Sequence, residues 1–172
     1  MEKIIIRPLT IDDVSGVAEI KVNGWKTAYK GIIDDEYLNK LDIEEYKRIF
    51  KNYVGNDNFV VALAKEKVVG FCRFEFSSNI NYADCELIAI YVHPDFKRQG
   101  IGARMFEYVL NEFYVQNKNR MILWCLSDNV NSINFYKRMG GEIKAYKLAS
   151  IGDKSYEEVG FVYDIKNLCR KK

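Results

Sequence analysis

Apolar and polar positions recur along this chain with two different periods, and the switches between them mark its elements. The opening KIIIRPL reads as a strand. Thr10, with Asp13 three residues later, has the form of a capping box and predicts a helix through Val14, Val17 and Ala18. A break is expected near Gly31, followed by one more helix carrying Leu38, Leu41, Ile49, Phe50 and Tyr53. FVVALA and VVGFCRFEF flank KEK as the strands of a hairpin. ELIAIYV, Glu86 to Val92, is almost continuously apolar, as expected of a central strand buried on both faces. Phe106, Val109, Leu110 and Phe113 fall at i, i+3, i+4 and i+7 on one helix face.

RMILWCL is a further buried strand, and SDNVNSINFYKRMGG reads as a helix capped by Asp or Asn and ended by Gly140. EIKAYKL is a weaker strand, whereas Val159, Phe161, Tyr163 and Ile165 alternate as one buried face of a last strand. The expected order is β, α, α, β, β, β, α, β, α, β, β, with RKK at Arg170 to Lys172 as a short basic end.

At 172 residues and 48% hydrophobic content the chain is expected to form one ordered domain over residues 1–172. Its 26 basic and 24 acidic residues nearly cancel, so no bulk field calls for nucleic acid or an anionic membrane. MEKIIIRPLT has no apolar signal core and no apolar stretch approaches the roughly 20 residues of a membrane span, which predicts a cytoplasmic protein. Cys72, Cys85, Cys125 and Cys169 form no Cys-x-x-Cys pair and sit in or beside apolar runs, as reduced, packed thiols do. His93 is the only histidine and stands in a Val-His-Pro turn, so a loop role outweighs a metal or triad role. No metal is expected.

The junction VHPDFKRQGIGARMFEYVL feeds a strand into a helix through two glycines. Glycine there lets backbone approach a ligand, and the first free N–H groups of the helix, with its dipole, favour an anion such as a phosphate or pyrophosphate. Lys97, Arg98 and Arg104 would add positive charge. A tight turn with solvated basic residues accounts for the same pattern. It is not a P-loop, and Met105 stands where a dinucleotide fingerprint needs its third glycine.

The element order, with YVHPDFKRQGIG and DNVNSINFYKRMGG in these places, resembles the GNAT superfamily of acetyl-CoA-dependent N-acetyltransferases. The resemblance implies an α+β fold, a mixed, largely antiparallel sheet of about seven strands flanked by about four helices. It also implies acetyl-CoA as cosubstrate and direct transfer to an amine. The family turn has the pattern Gln/Arg-x-x-Gly-x-Gly/Ala, and main-chain N–H groups from Arg98 through Gln99, Gly100, Ile101 and Gly102 to Ala103 would cradle the pyrophosphate. Lys97 departs mildly from that pattern. By the same resemblance, main-chain groups around Tyr91, at Ile90 and Val92, would bind the acetyl carbonyl and pantetheine amides.

A second family feature is an Asn followed seven residues later by a Tyr, matched by Asn129 and Tyr136. The resemblance implies that Asn129, with Ser132 beside it, shapes the pantetheine cleft and that Tyr136 is the general acid for the departing thiolate. An N-cap and a core aromatic are the plainer roles of Asn129 and Tyr136. Glu86, eleven residues before Lys97, matches the catalytic glutamate of some family members; a solvated carboxylate at a strand end is the plainer role. By the same resemblance Trp25 and Tyr29, with Asp34, Asp35 and Glu36, would face an acceptor; a core pair and a helix start satisfied by its dipole are the plainer roles.

The chemistry calls for such groups. An alkylamine of pKa about 10.4 is free in only about one molecule in 2,500 at pH 7, a handicap of roughly 4.6 kcal/mol, so a base is needed. The leaving thiolate gains from an acid at the sulfur. Cys125, inside an apolar strand, is a poor acetyl carrier. The expected acceptor is a small amine or polyamine, the alternatives being a protein N-terminus or lysine, or a non-catalytic acetyl-CoA sensor; the expected assembly is a monomer or homodimer.

Overall fold

The structure, a computed structural model, describes residues 3–170. Lys171 and Lys172 of the basic end lie outside the described residues. Seven strands form one sheet: β1 (Ile4–Pro8), β2 (Phe59–Ala64), β3 (Lys67–Glu75), β4 (Cys85–Val92), β5 (Arg120–Leu126), β6 (Glu142–Ile151) and β7 (Lys154–Asp164). Their order across the sheet is β1-β2-β3-β4-β5-β7-β6, antiparallel everywhere except between β4 and β5. The helices are α1 (Val14–Ala28), α2 (Asp35–Lys40), α3 (Ile43–Lys51), α4 (Ile101–Val115), α5 (Val130–Arg138) and α6 (Ile165–Arg170). This is a mixed, largely antiparallel α+β fold. No helix among the described residues is long and apolar enough to cross a membrane.

The two faces of the sheet bury separate cores. On one, α4 sinks Phe106, Val109 and Phe113 against Cys72, Phe74, Leu87 and Phe161, all at most 2% exposed, and α5 leans on the same core through Ile133, Tyr136 and Met139. On the other, Val14, Val17 and Ala18 of α1 meet Phe50 of α3 and Phe59 and Phe71 of the sheet. The apolar periodicities read from the sequence are these two buried faces.

Three expectations are corrected. The helix expected after Gly31 is two helices, because Asp42 accepts a hydrogen bond from the Glu45 N–H at 2.8 Å and starts α3 afresh. The chain does not close in a strand: Asp164 accepts from the Asn167 N–H at 2.9 Å and caps α6, taking Ile165 out of β7. Nor is β4 buried on both faces, for Ile88 is 40% exposed, and the cause is a gap in the sheet beside it.

The start of α1 is held as its capping box predicts. Asp13 accepts from the Thr10 N–H at 2.8 Å and its hydroxyl at 2.7 Å, while Arg7 of β1 donates at 2.6 and 3.0 Å. Burial pushes the Asp13 carboxyl up, but the hydrogen bonds from Arg7 and Thr10 outweigh it and hold the carboxyl below its ordinary range. This contribution is therefore full above about pH 4 and lost as pH falls further. Asp13→Asn should cost about 1–3 kcal/mol of stability at pH 7 by denaturant unfolding, and the deficit should shrink below pH 4.

Candidate active site

The site begins where the one parallel pair comes apart. β4 and β5 pair only at Cys85 with Met121 and Glu86 with Ile122. Opposite, Arg73 pairs with Ala89 and Phe74 with Leu87, so Ile88 is an extra residue on β4. Such a bulge bends and twists its strand, and here it falls where β4 leaves β5. The main-chain groups of β4 that face the gap beyond Glu86 have no ladder partner. Two cavities, of about 520 and 350 Å3, open on opposite sides of the gap and share Tyr29, Ile88, Ala89, Tyr91 and Trp124 as walls.

The first cavity runs along the turn into α4. Gly100 holds φ at 80° and caps the helix, and Arg98 is also left-handed at 64°, a conformation costing a non-glycine residue roughly 1–2 kcal/mol. The N–H groups from Arg98 to Ala103 have no hydrogen-bond partner among the described residues. Together they leave donors unpaired at the positive end of a helix, an arrangement able to receive an anion. A Cβ on Gly102 would meet Phe135 at 3.5 Å and Val92 at 3.6 Å, ordinary contacts, so the fold itself does not require glycine there.

Of the residues expected to hold the cofactor, all line this cavity except Gln99, whose side chain donates to the Asp95 carbonyl at 3.3 Å. Arg104 does not face the cavity either: it donates to the Ile4 carbonyl at 3.1 Å and ties α4 to β1. Arg138 of α5 lines the cavity with Lys97 and Arg98 and was not singled out in the sequence. His93 keeps its loop role, its Nδ1 accepting from the Asp95 N–H at 3.3 Å.

Asn129 is 6% exposed and N-caps α5, accepting from the Ser132 N–H at 3.2 Å. Its side chain also meets the Tyr29 hydroxyl, which burial pushes up to about 12. Cap and cavity wall are thus one residue. The Tyr136 ring packs on Phe135 and Phe161 with centroids 5.3 and 5.6 Å away. Burial, with Cys125 and Tyr91 nearby, pushes the Tyr136 hydroxyl far up, so it keeps its proton at neutral pH. Burial also pushes the Cys125 thiol up to about 12, which leaves it a poor nucleophile.

The second cavity is aromatic. Trp25 donates from Nε1 to the Tyr91 hydroxyl at 2.8 Å and meets Tyr29 edge-on at 4.9 Å. Lys21, one turn earlier on α1, places Nζ 3.8 Å over the Trp25 ring and 3.5 Å from the Tyr91 hydroxyl. Burial lowers its amine to about 7. Arg73 and Glu158 also line this cavity, and Glu158 pairs with Lys147 at 3.4 Å. Gly160 makes room for Trp124, since a Cβ there would lie 3.0 Å from its ring.

The remaining predicted residues are placed differently. Glu86 lines neither cavity; it stands half-buried at the closed end of the gap. Burial raises its pKa, Glu158 and Glu75 add to the rise, and Lys147 and Arg73 oppose it. Two of the three acids make structural contacts: Asp34 caps α2 through the Glu36 N–H at 2.8 Å and pairs with Lys154, while Glu36 pairs with Lys40. Lys21 and Arg73 were missed, although each interrupts an apolar pattern, Lys21 on the buried face of α1 and Arg73 within VVGFCRFEF.

The family model described as "Acetyltransferase (GNAT) family" matches residues 25–141. The uncharacterized N-acetyltransferase YuaI of Bacillus subtilis is 30% identical over 162 residues, covering 91% of this chain and 91% of that one. The spermidine N(1)-acetyltransferase of Thermoplasma acidophilum is 24% identical over 149 residues, covering 81% of this chain and 88% of that one. Among solved structures, the PaiA N-acetyltransferase of Thermoplasma acidophilum in complex with coenzyme A superposes with a TM-score of 0.70 at 22% identity, covering 91% of this chain and 98% of that one.

Lys21 carries its own stability signature. Lowered to about 7 in the folded chain by burial against about 10.4 when unfolded, its amine loses the proton earlier in the native state. Stability therefore rises between these values, and the destabilisation is complete below about pH 7. Lys21→Met should raise the melting temperature most at pH 6, with the gain shrinking toward pH 10. Scanning calorimetry across that range checks it, and an unchanged melting temperature at pH 6 would mean the charge is compensated.

Proposed function

This chain belongs to the acetyltransferase (GNAT) family, and on that premise we propose that it transfers an acetyl group from acetyl-CoA directly to a primary amine of a small acceptor. One observation carries this reading: the two cavities meet at the β4–β5 gap, one walled by unpartnered N–H groups and the other by aromatic rings. The N–H groups from Arg98 to Ala103 suit the pyrophosphate, with Lys97, Arg98 and Arg138 around it. Beyond the bulge, the free main-chain groups of Ile90 and Val92 suit the pantetheine amides and the acetyl carbonyl.

In this scheme the acceptor nitrogen enters from the second cavity and attacks the thioester carbonyl carbon. An N–C bond forms, the C–S bond breaks, and the thiolate takes its proton from the Tyr136 hydroxyl. The proton released by the amine passes through water to Glu86, which lies outside both cavities and reaches the gap only by such a relay. Burial raises the Glu86 pKa and so makes it a better proton acceptor than an exposed carboxylate.

Thiol release from acetyl-CoA over small amines, polyamines and peptides tests the acceptor, and a preference for peptides would overturn the small-molecule assignment. Tyr136→Phe keeps the ring packing and should lower kcat by about 10² to 10³ with coenzyme A affinity little changed. A stable Phe variant with full kcat, where chemistry limits the rate, would remove Tyr136 from the mechanism.

Glu86→Gln should lose most activity near neutral pH, where the acceptor is largely protonated, and less toward pH 9, where free amine accumulates. A deficit of equal size from pH 6 to pH 9 would assign Glu86 a structural role.

A further inference from the structure

A cavity that receives only an amine gains nothing from positive charge on its wall, yet the second cavity has two cations there. Lys21 meets the rings of Trp25, Tyr46 and Tyr91, with Nζ 3.8, 5.6 and 5.0 Å from their centroids. No carboxylate pairs with it among the described residues; it donates a long hydrogen bond, 3.5 Å, to the Tyr91 hydroxyl, and burial lowers its amine. Arg73 of β3 gives Nη2 to Glu75 at 2.8 Å, but its Nε is buried with no hydrogen-bond partner. The carboxylate that lines this cavity, Glu158, is engaged by Lys147 at 3.4 Å. A buried Nε without a partner beside a desolvated amine without a counter-charge marks a place where an acceptor group is missing.

Resting on the acetyl-transfer reading of the gap, we propose that the acceptor is an amine bearing an anionic group, a carboxylate or phosphate, and that Lys21 and Arg73 hold this group while the amine points to the gap. Lys21 and Arg73 line the second cavity and not the first, so the anionic end of such an acceptor is received on the acceptor side of the shared walls. An arriving anion supplies the missing counter-charge and draws Lys21 to its ammonium form. A polyamine would instead bring further ammonium groups to a poorly solvated cation. The cavity of about 350 Å3 suits an acceptor of amino-acid size.

The test uses pairs that differ only in the anion: amino acids against their decarboxylated amines, and phosphoethanolamine against ethanolamine. Calorimetry on coenzyme A-saturated protein reads binding, and thiol release from acetyl-CoA reads turnover. The anionic member of at least one pair should bind about tenfold to a hundredfold more tightly. That ratio should fall toward one in Lys21→Met and be kept in part by Lys21→Arg, with melting temperature and coenzyme A affinity verifying that both variants fold. The responding pair separates carboxylate from phosphate. Equal binding within every pair, tighter binding of polyamines, or a ratio that survives Lys21→Met would overturn the proposal. A ratio without any thiol release would uphold it and remove the transfer reading, whereas thiol release without a ratio would do the reverse.

Discussion

The structure depends on one incomplete strand pairing. Had β4 and β5 stayed hydrogen-bonded, the sheet would be continuous and its middle would be core on both faces. They pair at two positions and part, and the residue that enforces the parting is Ile88, the extra residue of the β4 bulge. A parallel pair broken inside a sheet leaves polar main-chain groups that must find other partners. In the proposed function a ligand running through the gap would supply them, so that a defect in the sheet would serve as a binding site. β5 does not collapse into the gap, because it pairs with β7 over its full length and Gly160 seats the Trp124 ring that faces the opening.

On either side of the gap the chain solves opposite electrostatic problems. Along the turn into α4, backbone N–H groups from Arg98 to Ala103 and the helix dipole offer partial positive charge with no side chain in the way. The strained φ of Arg98 is the local cost of aiming them. In the second cavity, rings from α1, α3 and the sheet exclude water. That exclusion lowers the Lys21 amine to about 7 and raises the hydroxyls of Tyr29 and Tyr91. A group brought into so poorly solvated a space feels its charged neighbours strongly. In the proposal made above, acceptor choice would therefore rest on a few ionisable side chains, although the cavity is mostly aromatic.

Much of this was legible in the chain. The periodicities of Val14 to Ala18 and of Phe106 to Phe113 are local, each specifying a helix and its buried face. Gly100 could be read as a turn residue because glycine where a strand feeds a helix marks such a turn whatever surrounds it, and its φ is 80°. The split of α2 from α3 and the capping of α6 were misread although Asp42 and Asp164 are visible caps. Aspartate is common at the surface, and only the completed hydrogen bond tells a cap from a solvated side chain.

By itself, then, the sequence determined the seven strands, the main helices, the glycine turn into α4 and the family, since each rests on neighbours within a few turns of chain. Tertiary structure decided which residues meet across it. It set Lys21 of α1, Tyr46 of α3, Arg73 of β3 and Tyr91 of β4 around one cavity, sent Arg104 to β1, and left Glu86 outside both cavities. Desolvation and charge pairing depend on distance in space, and positions 21 and 91 are neighbours only after the sheet has folded between them.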